Sequence, residues 1–347
     1  MRRALLLLAA TVVAALAMTS TTASAVTTSV VMSGLDNPRG LAFAPTGELY
    51  VAEAGRGGAG PCVTLRGQPQ CYGATGAVSR LWRGNQDRIA TSLPSTISPV
   101  GEVTGPHDVV PYGFGIAQVT VGWGADPALR AGLGAEGRRF GTVLFLAGGR
   151  VVFANDVAAF EGSANPGGGP IDSNPYGLYG RLGSTVVADA GANALFQVSV
   201  TGRVTTLATF PSRDDGRSTD SVPTAVTVGP DGAYYVSELT GAPFALGAAR
   251  IYRVVPGSDP QVVYEGFKMV IDIAFSGNDL YVLEFDTAPV FFGGPGRLTR
   301  VGPTGTRTVI TDQLSHPTSV AVGPDGGLYV SNKGDQVGVG EVLRIDP

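Results

Sequence analysis

The chain has 347 residues, with 24 Lys and Arg against 28 Asp and Glu and a formal net charge of −4. A mildly acidic balance with scattered arginines argues against nucleic acid as a partner. Fifty-one glycines, 24 prolines and only two lysines, Lys268 and Lys333, exclude a bundle of long helices and point to many turns.

Arg2 and Arg3 precede an apolar run from Ala4 to Met18, and Ala23-Ser24-Ala25 has the small-residue pattern of a cleavage site. Residues 1–25 therefore read as a secretory signal peptide. The run is shorter than the roughly 20 apolar residues of a membrane span, and no later run is longer. The mature protein, 322 residues (347 minus 25), is expected to be secreted, without a membrane span, at a charge of about −6 (−4 minus two arginines). It reads as one all-β domain over 26–347.

VTTSVVM (26–32) is the first predicted strand. NPRGLAFAPTGELYVAE (37–53) follows as strand, turn and strand, with β-branched and aromatic residues flanking a Pro/Gly turn. An insertion at 55–78 carries the only cysteines, Cys62 and Cys71, nine positions apart. Export makes a disulfide their expected state. GAVSRLW (76–82) and DRIATSL (87–93) are two more strands. GPHDVVPYGFGIAQVTVGWG (105–124) is a second, loose copy of strand–turn–strand. A short helix is expected within 128–140, and a long Gly-, Asn- and Pro-rich loop over 155–177. Further copies are NPYGLYGRLGSTVVAD (174–189), VPTAVTVGPDGAYYVSE (222–238), VIDIAFSGNDLYVLE (270–284) and HPTSVAVGPDGGLYVSN (316–332). Phe291 and Phe292 read as loop-packing residues between strands. GEVLRID (340–346) is the last strand.

Six copies begin at Pro38, Pro106, Pro175, Pro223, Val270 and Pro317, with spacings of 68, 69, 48, 47 and 47. A strand-rich period near 45 residues predicts a β-propeller of six four-stranded blades. The last blade has only three strands of its own. The 26–32 strand is expected to supply the fourth, because an open edge would expose unpaired backbone groups.

Antiparallel pairing puts the start of each first strand beside the end of each second strand. The second strands end in Glu53, Val121 or Gly122, Asp189, Glu238, Glu284 and Asn332. Asn37, Arg39, His107, Asp108, Asn174, Val222, Asp272 and His316 stand at or just inside the first-strand starts. The residues leave two readings open. Facing carboxylates repel unless a cation, a proton or an arginine neutralises them. Glu53, Asp189, Glu238 and Glu284 could therefore ligate Ca²⁺ or another divalent cation at the channel mouth. Alternatively, each acid accepts turn N–H groups or pairs with Arg39 or Arg250. His107 and His316 are candidate general bases or loop-bonding residues. Asp172 and Asp220, each in D-S-x-P before a first strand, are candidate ligands or turn caps. No G-x-S-x-G, P-loop or H-E-x-x-H motif occurs.

LDNPRGLAFAPTGELYVAEAGRGG, CYG-x-TGAV, TGPHDV, VVADAGANALFQV, DSVPTAVTVGPDGAYYVSELTGAPFALGAARIYRV and GEVLRI together resemble the ScyD/ScyE family of exported propellers. The resemblance covers the whole mature chain. It implies an exported six-bladed propeller of NHL-like repeats and carries no established reaction. More distantly, the chain is similar to gluconolactonase-type and strictosidine-synthase-like propellers. The first of these implies a divalent cation held by Glu, Asn and Asp.

Two functions are therefore expected. One is a secreted, monomeric binding or scaffold propeller, holding a small molecule, glycan or protein on the face built by insertions 55–78 and 155–177. The other is a metal-dependent hydrolase or lactonase using the channel acids.

Overall fold

The structure is a computed structural model describing residues 26–181, 183–212, 219–289 and 293–347. Residues 1–25, read above as a signal peptide, and the pair Phe291 and Phe292 lie outside the described residues. No described helix is long and apolar enough to cross a membrane.

Six antiparallel sheets follow one another along the chain. First strands start at Pro38, Pro106, Pro175, Pro223 and Val270, where the repeat places them. The sixth starts at Ser319, two residues past Pro317. First strands of consecutive sheets pack on each other in a closed cycle, the sixth against the first, which makes the molecule an all-β, six-bladed propeller. Thr27–Leu35 pairs antiparallel with Gly340–Asp346 and completes blade 6 as its outer strand. The strand runs three residues past its predicted end.

The apolar residues of each strand alternate so that both sheet faces meet a neighbour. Six buried clusters result, and each fills one seam between blades. Val226 and Val236 of blade 4 meet Val186 and Leu195 of blade 3 in one of them. Burying each such side chain contributes about 1.5–3 kcal/mol, so the seams, with the ladders, hold the ring.

The insertions build a cap over blades 1 to 3. The 55–78 segment, expected as loop, is largely a hairpin. Cys62–Leu65 pairs with an extended strand, Gln68–Trp82, and Cys62 and Cys71 are direct cross-strand partners joined in a disulfide. Residues Pro127–Arg139 form a 3₁₀ stretch broken at Gly134, whose φ of 70° ends the helical run. The 155–177 segment holds an unexpected helix, Val157–Ala164, capped by Asp156 accepting from Ala159 N and by left-handed Asn165. Arg130 ties the two helical pieces together through Asp156 at 2.9 Å. Phe140, fully buried, packs on Tyr72 and Trp123 beneath them.

Candidate functional site

First strands line the axis. One residue past each repeat start, counted from Pro317 in blade 6, the blades place Arg39, His107, Tyr176, Thr224, Ile271 and Thr318. Two past, they place Gly40, Asp108, Gly177, Ala225, Asp272 and Ser319. All but Arg39 surround an axial void of about 10 Å³, room for about one water molecule. Blades 2 and 5 are three apart in a ring of six, so Asp108 and Asp272 face one another across the axis.

These side chains stitch blades together. Asp108 accepts from Val109 N and from Leu178 N of blade 3 at 2.7 Å. Asp272 accepts from Ile273 N, and from Ser319 Oγ at 2.5 Å and Val320 N at 2.8 Å in blade 6. Ser319 Oγ in turn accepts from Leu41 N of blade 1 at 3.1 Å. Thr224 donates to Val270 O and Thr318 to Pro38 O. Gly40 is required here: a Cβ would stand 2.6 Å from Asp108 Cα. Burial, then the Asp272 charge, holds the Asp108 carboxyl well above the usual range. Burial pushes Asp272 up to about 6 against the hydrogen bonds it accepts.

His107 is 4% exposed. Burial, then Arg39, lowers it to about 3, while its bond to the Pro175 backbone opposes the shift. It is therefore neutral near pH 7. Its ring packs on Tyr176 at 4.6 Å, and Nδ1 has no partner. A base needs access to the proton it removes, and this imidazole is enclosed. His316 stands elsewhere, at the rim of blade 6, bonded to Asp335 at 2.6 Å and stacked on Phe285.

The strand-end residues lie at equivalent places, each engaged inside its own blade. Glu53 accepts from Asp36 N and Ser79 Oγ and meets Arg88 at 2.6 Å. Glu238 meets Arg250 at 2.7 Å. Glu284 accepts from Lys268 N and meets Arg297 at 2.7 Å. Asn332 accepts from Ser315 N and donates to Glu341. Asp189 accepts from Ser173 Oγ and from the amides of Asn174, Gly191 and Ala192. The structure does not bring Glu53, Asp189, Glu238 and Glu284 to one point. Among the described residues no three His, Cys, Asp or Glu side chains are grouped as a metal ion would need. The reason is local: strand-end amides and arginines of the third or fourth strand reach each acid before its counterparts do.

Asn174 accepts from Trp123 N, joining blade 3 to the cap. Asp220 is exposed, near Ser212 and Asn193. Asp172 is half-buried with Oδ1 unpartnered, and burial followed by Asp189 pushes it up to about 6.

Sequence reasoning missed a groove of about 450 Å³ between blades 2 and 3. It opens on the face of the strand-one-to-strand-two turns, away from the insertions. Phe145 and Phe153, stacked at 4.8 Å, and Tyr112 supply aromatic surface, and Arg181 is its one charged lining residue among those described. One phenylalanine on each of the third and fourth strands of blade 2, Phe145 and Phe153, was its only signal.

No protein-family model matches the chain, and no curated protein matches it. Solved structures do match in fold. A glucose dehydrogenase crystal structure shares 14% identity at a TM-score of 0.55, over 92% of this chain and 99% of that one. The soluble aldose sugar dehydrogenase of Escherichia coli, in its apo form, shares 16% at 0.51, over 93% and 99%. A streptogramin B lyase shares 12% at 0.50, over 92% and 97%. At such identities the likeness concerns the fold alone.

Proposed function

We propose that the chain is an exported binding propeller that takes a small ligand off its axis, in the groove between blades 2 and 3. The carrying observation is the contrast in size. The axial void holds about one water, whereas the groove, at about 450 Å³, falls in the range of small-molecule sites. Its stacked phenylalanines suit a flat apolar body. Arg181, held by the Tyr234 hydroxyl and ring, suits an acidic group on the same ligand. The motif likeness to the ScyD/ScyE exported propellers supports this reading, since that resemblance also carries no reaction. The cap made by the insertions is then the surface left for a glycan or protein partner. A metal-dependent hydrolase at the axis is the alternative, and enclosed His107 with closely tied Asp108 and Asp272 speaks against it.

The test is a thermal-shift and calorimetric screen of aromatic and sugar carboxylates on the mature protein. A binder is expected whose affinity falls about tenfold or more in Phe153→Ala and Arg181→Gln and is unchanged in Asp272→Asn. Hydrolysis of a lactone or ester that is lost in Asp108→Asn or Asp272→Asn would replace this reading with the axial one.

A further inference from the structure

Around the ring, buried strand-end glutamates are matched by guanidinium groups: Arg88 on Glu53, Arg250 on Glu238 and Arg297 on Glu284. Blade 3 departs from that rule. Asp189 is fully buried and receives only a hydroxyl and backbone amides. The 155–177 insertion then folds two further acids toward it and contributes no Lys or Arg of its own, Arg66 of the 62–82 hairpin being the cation that acts on Asp172. Glu161 projects from the helix Val157–Ala164, is 1% exposed, and leaves Oε2 without a hydrogen-bond partner. Asp172 leaves Oδ1 without one. The charges acting on Glu161 are Asp189 and Asp172, and with burial as the largest cause they push it up to about 7.

A buried carboxylate oxygen with no donor costs free energy, and native proteins keep such atoms where water or an ion meets them. Hard divalent cations accept carboxylate and backbone carbonyl oxygens together. The turn after the helix, Asn165-Pro166-Gly167-Gly168-Gly169-Pro170, adds backbone carbonyls, of which those of Asn165 and Gly169 already accept from Gly168 N and Asn165 Nδ2. We propose that Glu161 and Asp172 bind one calcium-like divalent cation between the cap helix and blade 3, with backbone carbonyls of the 165–171 turn completing its shell. Two carboxylates with backbone carbonyls form an oxygen donor set of the kind hard cations take. The ion does for Asp189 what arginine does in blades 1, 4 and 5, and it clamps the insertion to the ring. This inference is independent of the groove.

Equilibrium dialysis of the mature protein against radioactive calcium tests it, together with melting in EDTA and in millimolar Ca²⁺. About one ion per chain and a rise of about 5 °C are expected. Glu161→Gln should lose both, and should melt in EDTA at or above the wild type, because a neutral amide replaces a buried charge. Asp172→Asn, a second and independent variant, should also lose the bound ion, and Asp272→Asn should keep it. Absence of bound calcium in the wild type overturns the proposal. So does calcium that persists in Glu161→Gln, or calcium lost in Asp272→Asn alone, which would put the ion on the axis.

Discussion

Blades 4 to 6 and blades 1 to 3 solve the same problem differently. Blades 4 to 6 repeat at 47–48 residues and carry no large insertion. Their strand-end residues are closed locally, by Arg250 on Glu238, Arg297 on Glu284, and Asn332 against Glu341. Blades 1 to 3 spend 68 and 69 residues on their first two intervals and put the surplus into the cap. There the loops extend the seam between blades 1 and 2 with Phe140, Trp123 and Leu133, and blade 3 loses its arginine. In blades 4 to 6 the strand ends are thus closed by partners within each blade, as Arg88 closes Glu53 in blade 1. Blade 3 trades that closure for a cap carrying a buried acidic pocket.

The sharpest way to break this comparison is Arg250→Ala. Glu238 is fully buried, and removing one member of a buried pair costs about 3–5 kcal/mol. Urea melts should show this as a lowered midpoint. A loss near zero would mean that blade 4 needs no cation and differs from blade 3 in nothing that matters. Replacing Cys62 and Cys71 together by Ser should cost about 2–3 kcal/mol by chain entropy, with proteolytic nicking of the cap preceding loss of the ring signal. Simultaneous loss of both would show that the cap is integral to the ring.

The smallest effect is pH-dependent. His107 titrates near 3 when folded against about 6.5 unfolded. The unfolded chain therefore binds a proton that the folded ring does not, and stability falls as pH drops from about 6.5 toward 3. At pH 5 the difference is about 2 kcal/mol. His107→Gln should flatten the acid limb of a stability–pH curve by that amount, and an unchanged limb would mean that His107 is solvated in the folded protein.

The ring itself was legible because strand–turn–strand chemistry repeats at each blade, down to the starts at Pro38, Pro106, Pro175, Pro223 and Val270. The disulfide and the closing strand were legible for similar local reasons. The helix Val157–Ala164 was not. Eight residues within a Gly- and Asn-rich stretch give little periodicity, although Asp156 and Asn165 were its cap signals. Strand-end acids drew attention because they align, but alignment in a ring places equivalent residues around a circle without making them meet. Asp108 and Asp272 share a register and do face each other, since two opposite blades carry the same residue on the strand nearest the axis. The nearness of Glu161 to Asp172 and Asp189 is tertiary, set by how the insertion folds back, and no spacing announces it.

Closure by an N-terminal strand also has a mechanical side. Thr27 pairs with Asp346 and Leu35 with Gly340, so the two chain ends leave the ladder side by side at the same end. Tension applied between them loads the hydrogen bonds one rung at a time, as in an unzipping hairpin, instead of all together in shear. A ring that thermal agitation opens only at large cost should therefore peel at modest force. Tethering the protein by both ends, to a surface or to two bulky fusion partners, would strain its weakest direction, whereas tethering by one end would leave the closure untouched.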